Sequence, residues 1–273
     1  MKNNEIFRVF LGGDVFGPVG MRVATALLPG FIAAEEIDFC VINGENASLG
    51  IGVSADDARA LLAAGADVIT GGNHTFEKRD FWPVLDDFAE VLRPANFPSL
   101  GGDNRLPGRG AAVYGKDGAS VAVLNLQGRE EMTAIDCPFR AADAQLAAWN
   151  VECPDAIMLV DFHAESNQEK EALGLYLAGR VASVTGTHTH VQTADERLLP
   201  GGTAYMTDLG MTGAIRSVIG GDPEFAIKRN VTQVLYRMEA VETQGALRGL
   251  IVDVDRNTRR SVDVRRVDLP EGN

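Results

Sequence analysis

Residues 181–190 read VASVTGTHTH, a strand-like run (Val181, Ala182, Ser183, Val184) that ends in the GTHTH stretch of residues 186–190. In extended backbone, residues two apart share a face, so His188 and His190 are expected to project the same way and to converge on one metal. The chain holds four histidines, and the other two stand in similar company: His74 in GGNHTFE and His163 in VDFHAE. Neutral imidazole is a common metal ligand and the usual proton carrier near neutral pH. An imidazole-rich active site is therefore the first hypothesis. The ordinary alternative for any one of these residues is a hydrogen-bonded structural histidine.

On either side of this stretch, β-branched or aromatic runs alternate with alanine-rich segments, which predicts an α/β fold. A strand over Ile6–Leu11 ends in Gly12, Gly13 and Asp14, and a helix follows from about Val19 to Glu36. Phe39–Ile42 ends in NGENAS; a helix over Ala55–Ala64 leads to a strand over Asp67–Thr70, which ends in GGNHTFE. In open α/β sheets the ligand crevice lies beyond the carboxyl ends of the strands, so Asp14, Glu45, Asn46, Asn73 and His74 are expected on one rim.

Further along, Glu77–Asp87 reads as helix, 93–110 as a Pro- and Gly-rich surface connection, Ser120–Leu126 as strand and Ala141–Trp149 as helix. Ala156–Val160 is a buried strand followed by Asp161 and His163, and Asn167–Leu177 is a helix. Thr203–Met206 is strand-like, and 217–229 reads as a functional loop. Val231–Glu239, Gly249–Val254 and Ser261–Val267 have the period-two pattern of antiparallel strands completing a sheet. Without a repeat or linker, residues 1–273 are expected to form a single domain.

With 25 Lys+Arg against 38 Asp+Glu, the formal net charge is -13. That balance argues against long nucleic acid or an anionic membrane as partner, whereas a small anion could bind where metal ions supply positive charge. The arginines at 256, 259, 260, 265 and 266 alternate with Asp253, Asp255, Asp263 and Asp268, the pattern of a solvated strand surface. Cys40, Cys137 and Cys153 suit neither a disulfide framework nor a thiolate zinc site and read as reduced thiols. The first residues lack the uncharged core of a signal peptide, and no apolar run is expected to reach the roughly 20 residues of a membrane span. The expected location is cytoplasmic.

The strand-end residues comprise one Asp, one Glu, two Asn and four His. This mixed oxygen and nitrogen set suits Mn, Fe or Zn. It exceeds what one tetrahedral ion needs, and two ions about 3.5–4 Å apart sharing a carboxylate are suited to in-line attack at phosphorus.

In their order, GDVF, NGENAS, GGNHTFE, FHAE and GTHTH resemble the motifs of the calcineurin-like metallophosphoesterases, over residues 8 to about 229. More narrowly, GDVFGPVG, INGENAS, LNLQGR, VDFHAE, GTHTHVQTAD, GTAYMTDLGM and SVIG resemble the YmdB-like bacterial subgroup. The resemblance implies a four-layer α/β/β/α sandwich and a phosphodiesterase acting on 2',3'-cyclic nucleotides. Two departures from the broad superfamily stand out: Phe16 where the first motif, Asp-x-His, has its histidine, and Glu45 where the bridging residue is usually Asp. The subgroup pattern implies Glu45 as the bridge and Asn46 in place of the missing histidine.

By the same resemblance, Asp14, Glu45, Asn46 and His190 would hold one ion, and Glu45, Asn73, His163 and His188 the other. The ions would be Fe or Mn, with Zn also compatible. A water or hydroxide between them would be the nucleophile. His74, left free, would be the general acid protonating the leaving ribose oxygen. Asp195 and Asp208 are candidates to orient ligand histidines or, equally, to cap turns. Arg129 and Arg216 are candidate phosphate contacts, although an exposed arginine is more often simply solvated. Gly12, Gly13, Gly44, Gly71 and Gly72 read as tight-turn scaffolding, and Met206 and Met211 as packing. The expected partner is a small phosphodiester, with self-association left open. The competing functions are a broad phosphomonoesterase and a metal-stabilised regulatory protein with weak catalysis.

Overall fold

Period two sorts the side chains of each central strand between two cores. In β1 (Ile6–Gly12), Phe7, Val9 and Leu11 enter one buried cluster while Phe10 enters another. β3 (Phe39–Asn43) repeats the split, with Phe39 and Val41 on one face and Cys40 and Ile42 on the other. The computed structural model describes residues 5–99, 105–236 and 241–272. The first sheet has seven strands in the order β2-β11-β12-β1-β3-β4, with β13 paired to β12. Here β2 is Asp14–Val15, β4 Val68–Thr70, β11 Met211–Ala214, β12 Gly245–Asp255 and β13 Ser261–Pro270. β1, β3 and β4 run parallel, and β12 pairs antiparallel with β1 in the register Val9↔Val252.

The second sheet, in the order β5-β6-β7-β8-β10-β9, comprises β5 (Ala111–Lys116), β6 (Ala119–Gln127), β7 (Ile157–His163), β8 (Ser183–Thr187), β9 (Arg197–Leu199) and β10 (Thr203–Met206). Its central strands β6, β7, β8 and β10 are parallel. Val121, Val123, Ile157 and Leu159 share one cluster with Phe7, Val9, Phe39 and Val41, so the two sheets face each other across it. On the far face of the first sheet, α1 (Gly17–Glu35) and α2 (Ala55–Ala63) bury Val23, Leu28, Ala58 and Leu61. On the far face of the second, α3 (Pro138–Glu152) and α4 (Asn167–Leu177) bury Leu146, Trp149, Leu173 and Leu177. Ser54 and Ser166 start α2 and α4 by accepting from Asp57 N and Glu169 N.

The core between the sheets changes character along the strands. In β7 the inward positions run Ile157, Leu159, Asp161, His163, all buried. Asn43, Thr70, Asn125, Gln127, Thr185 and Thr187 are likewise buried polar residues at the carboxyl ends of their strands. The apolar sandwich thus grades into a polar floor at one end.

Several expectations are corrected. Over Glu77–Asp87 the chain makes turns and a short 3₁₀ helix, Trp82–Asp87. Pro83 disfavours α conformation at the residue before it. The expected loop 217–229 gives way to α5 (Pro223–Thr232), started by the Asp222 side chain accepting from Glu224 N, with Pro223 in the first turn. Val231 and Thr232, expected as strand, end that helix. Residues 237–239 of the expected strand lie outside the described residues. α1 is also long and apolar enough to cross a membrane by length and composition, with a mean hydropathy of 1.3, contrary to the sequence expectation. Its stripe of Val19, Val23, Leu28 and Phe31 packs into the first sheet's outer core.

Candidate metal centre

All eight expected residues lie at or just beyond the polar floor. Asp14 follows β1, Glu45 and Asn46 follow β3, and Asn73 and His74 follow β4; His163 ends β7, and His188 and His190 follow β8. The two sheets bring them together as two groups that meet at Glu45. In the first group, His163 Nε2 lies 3.0 Å from each of Glu45 Oε1, Asn73 Oδ1 and His188 Nδ1. Donors held at about 2.0–2.2 Å from one ion stand roughly this far apart. In the second, Asn46 Nδ2 lies 3.1 Å from Glu45 Oε1 and 3.2 Å from His190 Nε2, and His190 Nε2 lies 3.9 Å from Asp14 Oδ1. Turning the Asn46 amide over presents its oxygen at the same place.

The fit to a cation rests on chemistry as well as distance. Asp14 is fully buried, and its Oδ1 has no hydrogen-bond partner among the described residues. Such an oxygen is costly unless something positive satisfies it. A Cβ at Gly72 would stand 2.2 Å from Glu45 Oε2 and 2.3 Å from the His163 ring, so only glycine lets this loop close over the cradle. Burial pushes the Asp14 carboxyl up to about 6 against the pull of His190 and His163. Burial also opposes charge on Glu45, but His163 and His74 outweigh it and hold Glu45 at about 2. Burial would lower His163, yet Glu45, Asp14 and Asp161 raise it to about 9, whereas burial and His163 depress His188 to about 3.

The GTHTH geometry departs from the expected extended strand. β8 ends at Thr187, and His188 and His190 both have left-handed backbone, with φ of 106° and 64°. The pair is therefore split. His188 Nδ1 turns to His163, while His190 Nε2 turns to Asn46 and Asp14 and its Nδ1 meets the Ile219 carbonyl at 2.9 Å. Backbone of this kind costs about 1–3 kcal/mol per residue and persists only where the surroundings enforce it. Asp208 supplies the enforcement. Its Oδ2 accepts from Thr189 N at 3.1 Å and Thr189 Oγ1 at 2.8 Å, its Oδ1 from Gly210 N, and the buried Lys170 Nζ stands 2.7 Å away.

Asp208 therefore holds the residue between the histidines and touches neither imidazole. Asp195 accepts from Thr193, Thr207 and Arg197, so it ties loops together and orients no ligand histidine. The Arg129 guanidinium donates to Cys137 Sγ, and Arg216 is exposed. The arginines of the last strands are largely engaged by carboxylates, as in Arg259–Asp155 and Arg265–Glu35.

Phe16 stands where the superfamily pattern has a histidine, and it packs edge-on to the His190 ring with centroids 5.2 Å apart. Gly50 and Gly220 close on it from two loops; a Cβ at either would come within 2.9 Å and 2.5 Å of the Phe16 ring. His74 donates its backbone N–H to Glu45 Oε2 at 3.0 Å, while its imidazole stays outside the ligand groups, with Nδ1 buried and 3.9 Å from Glu77 Oε1. The sequence reading missed Lys170, Thr187 and Glu165, whose Oε2 lies 3.1 Å from His188 Nε2, and it assigned no role to Asp161. For Asp161 and Thr187 the available signal was a polar side chain in an otherwise apolar strand.

The YmdB-like protein family model matches residues 10–267. The chain is 41% identical over 260 residues to a 2',3'-cyclic-nucleotide 2'-phosphodiesterase of Bacillus subtilis (strain 168), covering 95% of this chain and 96% of that protein. Among solved structures, a hypothetical protein from Thermus thermophilus superposes with a TM-score of 0.88 at 35% identity, covering 97% of this chain and 100% of that one. A structure described as a novel phosphatase from Mycoplasma pneumoniae gives 0.90 at 30% identity, covering 99% and 95%. With the family match spanning nearly the whole chain and these similarities running end to end, the chain belongs to the YmdB-like family.

Proposed function

We propose that the chain is a phosphoric diester hydrolase that opens 2',3'-cyclic nucleotides to nucleoside monophosphates at a two-ion centre. The observation that carries this reading is the meeting of two donor groups at Glu45 Oε1 beside a histidine, His74, that belongs to neither. Asp14, Glu45, Asn46 and His190 would hold one ion, and Glu45, Asn73, His163 and His188 the other, with Fe or Mn suited to the set and Zn compatible. When bound, such ions supply positive charge against the phosphoryl oxygens and lower the pKa of nearby water. Water gives up one proton to solvent and its oxygen attacks phosphorus, and the bond from phosphorus to one ribose oxygen breaks. With Nδ1 buried, His74 carries the proton for that departing oxygen at Nε2. Glu45 accepts the His74 backbone N–H, which fixes the acid's loop to the bridge.

The sheets and their outer helices form, on this reading, one domain with the four-layer α/β/β/α arrangement of a metallophosphoesterase. The B. subtilis relative's name supports the diester substrate, and the M. pneumoniae structure's description as a phosphatase supports a second reading, a phosphomonoesterase built on the same centre. Turnover of 2',3'-cyclic AMP and of a nucleoside monophosphate on metal-loaded protein separates them. Preferential release of inorganic phosphate from the monoester overturns the diesterase assignment. His74→Ala should keep the metal content and lose about 10²- to 10⁴-fold in turnover. Full activity where chemistry limits the rate removes His74 from the acid role.

A further inference from the structure

Thr187 Oγ1 stands between two groups, 2.9 Å from Asp161 Oδ1 and 2.9 Å from His163 Nδ1. A hydroxyl has one proton to give, so the direction of this short chain is decided by what Asp161 can do. Asn43 fixes that. Its Oδ1 accepts from Glu45 N at 3.1 Å, which turns its Nδ2 to donate to Asp161 Oδ2 at 3.2 Å, and Thr70 Oγ1 also donates to Oδ2. Asp161 is thus a buried carboxylate surrounded by donors and serves as the acceptor for Thr187. With its proton committed to Asp161, Thr187 accepts from His163 Nδ1. Asp14 Oδ1, at 3.8 Å from that nitrogen, is too distant to take the hydrogen bond instead.

We infer that Asp161, acting through Thr187, is a positioning residue that fixes His163 as the Nδ1–H tautomer and so aims the Nε2 lone pair at a cation. The inference rests on the assignment of His163 as a metal ligand. A ligand imidazole ordinarily gives its second N–H to a carboxylate or carbonyl, and losing such a partner costs about 10- to 100-fold in metal affinity. The intervening hydroxyl lets a carboxylate on the same strand, two residues before the ligand, perform this task. Thr187 adds a second link, since it ends β8 immediately before His188.

Asp161→Asn reverses the chain without changing its shape. Because Asn43 Nδ2 faces position 161, the new amide must turn its oxygen toward Asn43 and Thr70 and its NH₂ toward Thr187. Thr187 then donates to His163 Nδ1, which forces the proton onto Nε2. The experiment is calorimetric titration with Mn²⁺ of ion-free wild type, Asp161→Asn, Thr187→Val and Thr187→Ser, with ion-free melting temperatures as the control for folding. The expected result is 10- to 100-fold weaker Mn²⁺ binding by the folded Asp161→Asn and Thr187→Val proteins, and restoration to wild-type affinity by Thr187→Ser. Wild-type affinity in folded Asp161→Asn overturns the relay alone. A wild-type protein that binds no Mn²⁺ overturns the metal-centre assignment and the relay with it. Should Thr187→Val fail to fold, the pair Asp161→Asn and Thr187→Ser decides the question.

Discussion

The two sheets contribute different chemical groups to the centre and hold their contributions by different means. The first sheet and the loops that follow its strands supply the carboxylates and amides, Asp14, Glu45, Asn46 and Asn73. These short side chains stand where the backbone runs, and the backbone is set by hydrogen bonds such as Gly44 N to Thr70 O and by glycine contacts closer than any Cβ allows. The second sheet supplies the imidazoles of the two donor groups, His163, His188 and His190. Each ring can rotate and has a second nitrogen to occupy, so the protein uses dedicated groups: Thr187 beside His163, Glu165 beside His188, the Ile219 carbonyl beside His190, and Asp208 with Lys170 beneath Thr189. The short side chains are placed by the path of the chain; the imidazoles need partners of their own.

That difference can be broken at chosen points. The largest effect is expected from Lys170→Met, which leaves the buried Asp208 without its countercharge and should destabilise the protein by about 3–5 kcal/mol, read by denaturant unfolding. The loss should fall on the histidine side, with metal retained weakly if the fold survives. Gly72→Ala comes next. Its methyl would intrude on both Glu45 and His163, and a displacement on the order of 1 Å should cost about 100-fold in kcat, with overpacking adding about 1–3 kcal/mol of instability. Steady-state kinetics alongside a melting curve checks both. Thr189→Val removes one hydroxyl from Asp208 and should cost about 1 kcal/mol in the melting curve. If Thr189→Val proves as damaging as Lys170→Met, the histidine loop depends on that hydroxyl more than on the buried charge.

Much of this was readable in the residues. Strand ends announced by Gly-Asp, Gly-Glu-Asn and Gly-Asn-His locate the rim, because a strand must end where glycine and polar side chains interrupt its apolar alternation. The conformation of GTHTH was not readable. A histidine with positive φ is unusual in any sequence, and what enforces it, Lys170 and Asp208, comes from elsewhere in the chain. Lys170 sits within a helical stretch rich in charge, NQEKE, where nothing marks it as buried. Asp161 was visible beside His163, but its role depends on Thr187, on a neighbouring strand, and on Asn43 and Thr70 from the opposite sheet. The helix over Pro223–Thr232 is legible in Asp-Pro-Glu, although the neighbouring glycines point to a loop.

The polar end of the inter-sheet core also bears on how the molecule assembles. Asp14, Glu45 and Asn73 come from the first sheet and His163, His188 and His190 from the second, so neither half presents a complete donor set until the two faces have closed on each other. A cation bound there acts as a cross-sheet staple that recognises only the docked state. By mass action, free ion at 100 times its dissociation constant would stabilise that state by about 2.7 kcal/mol. Ion supply would then set how long the sandwich stays shut, as well as whether its chemistry runs.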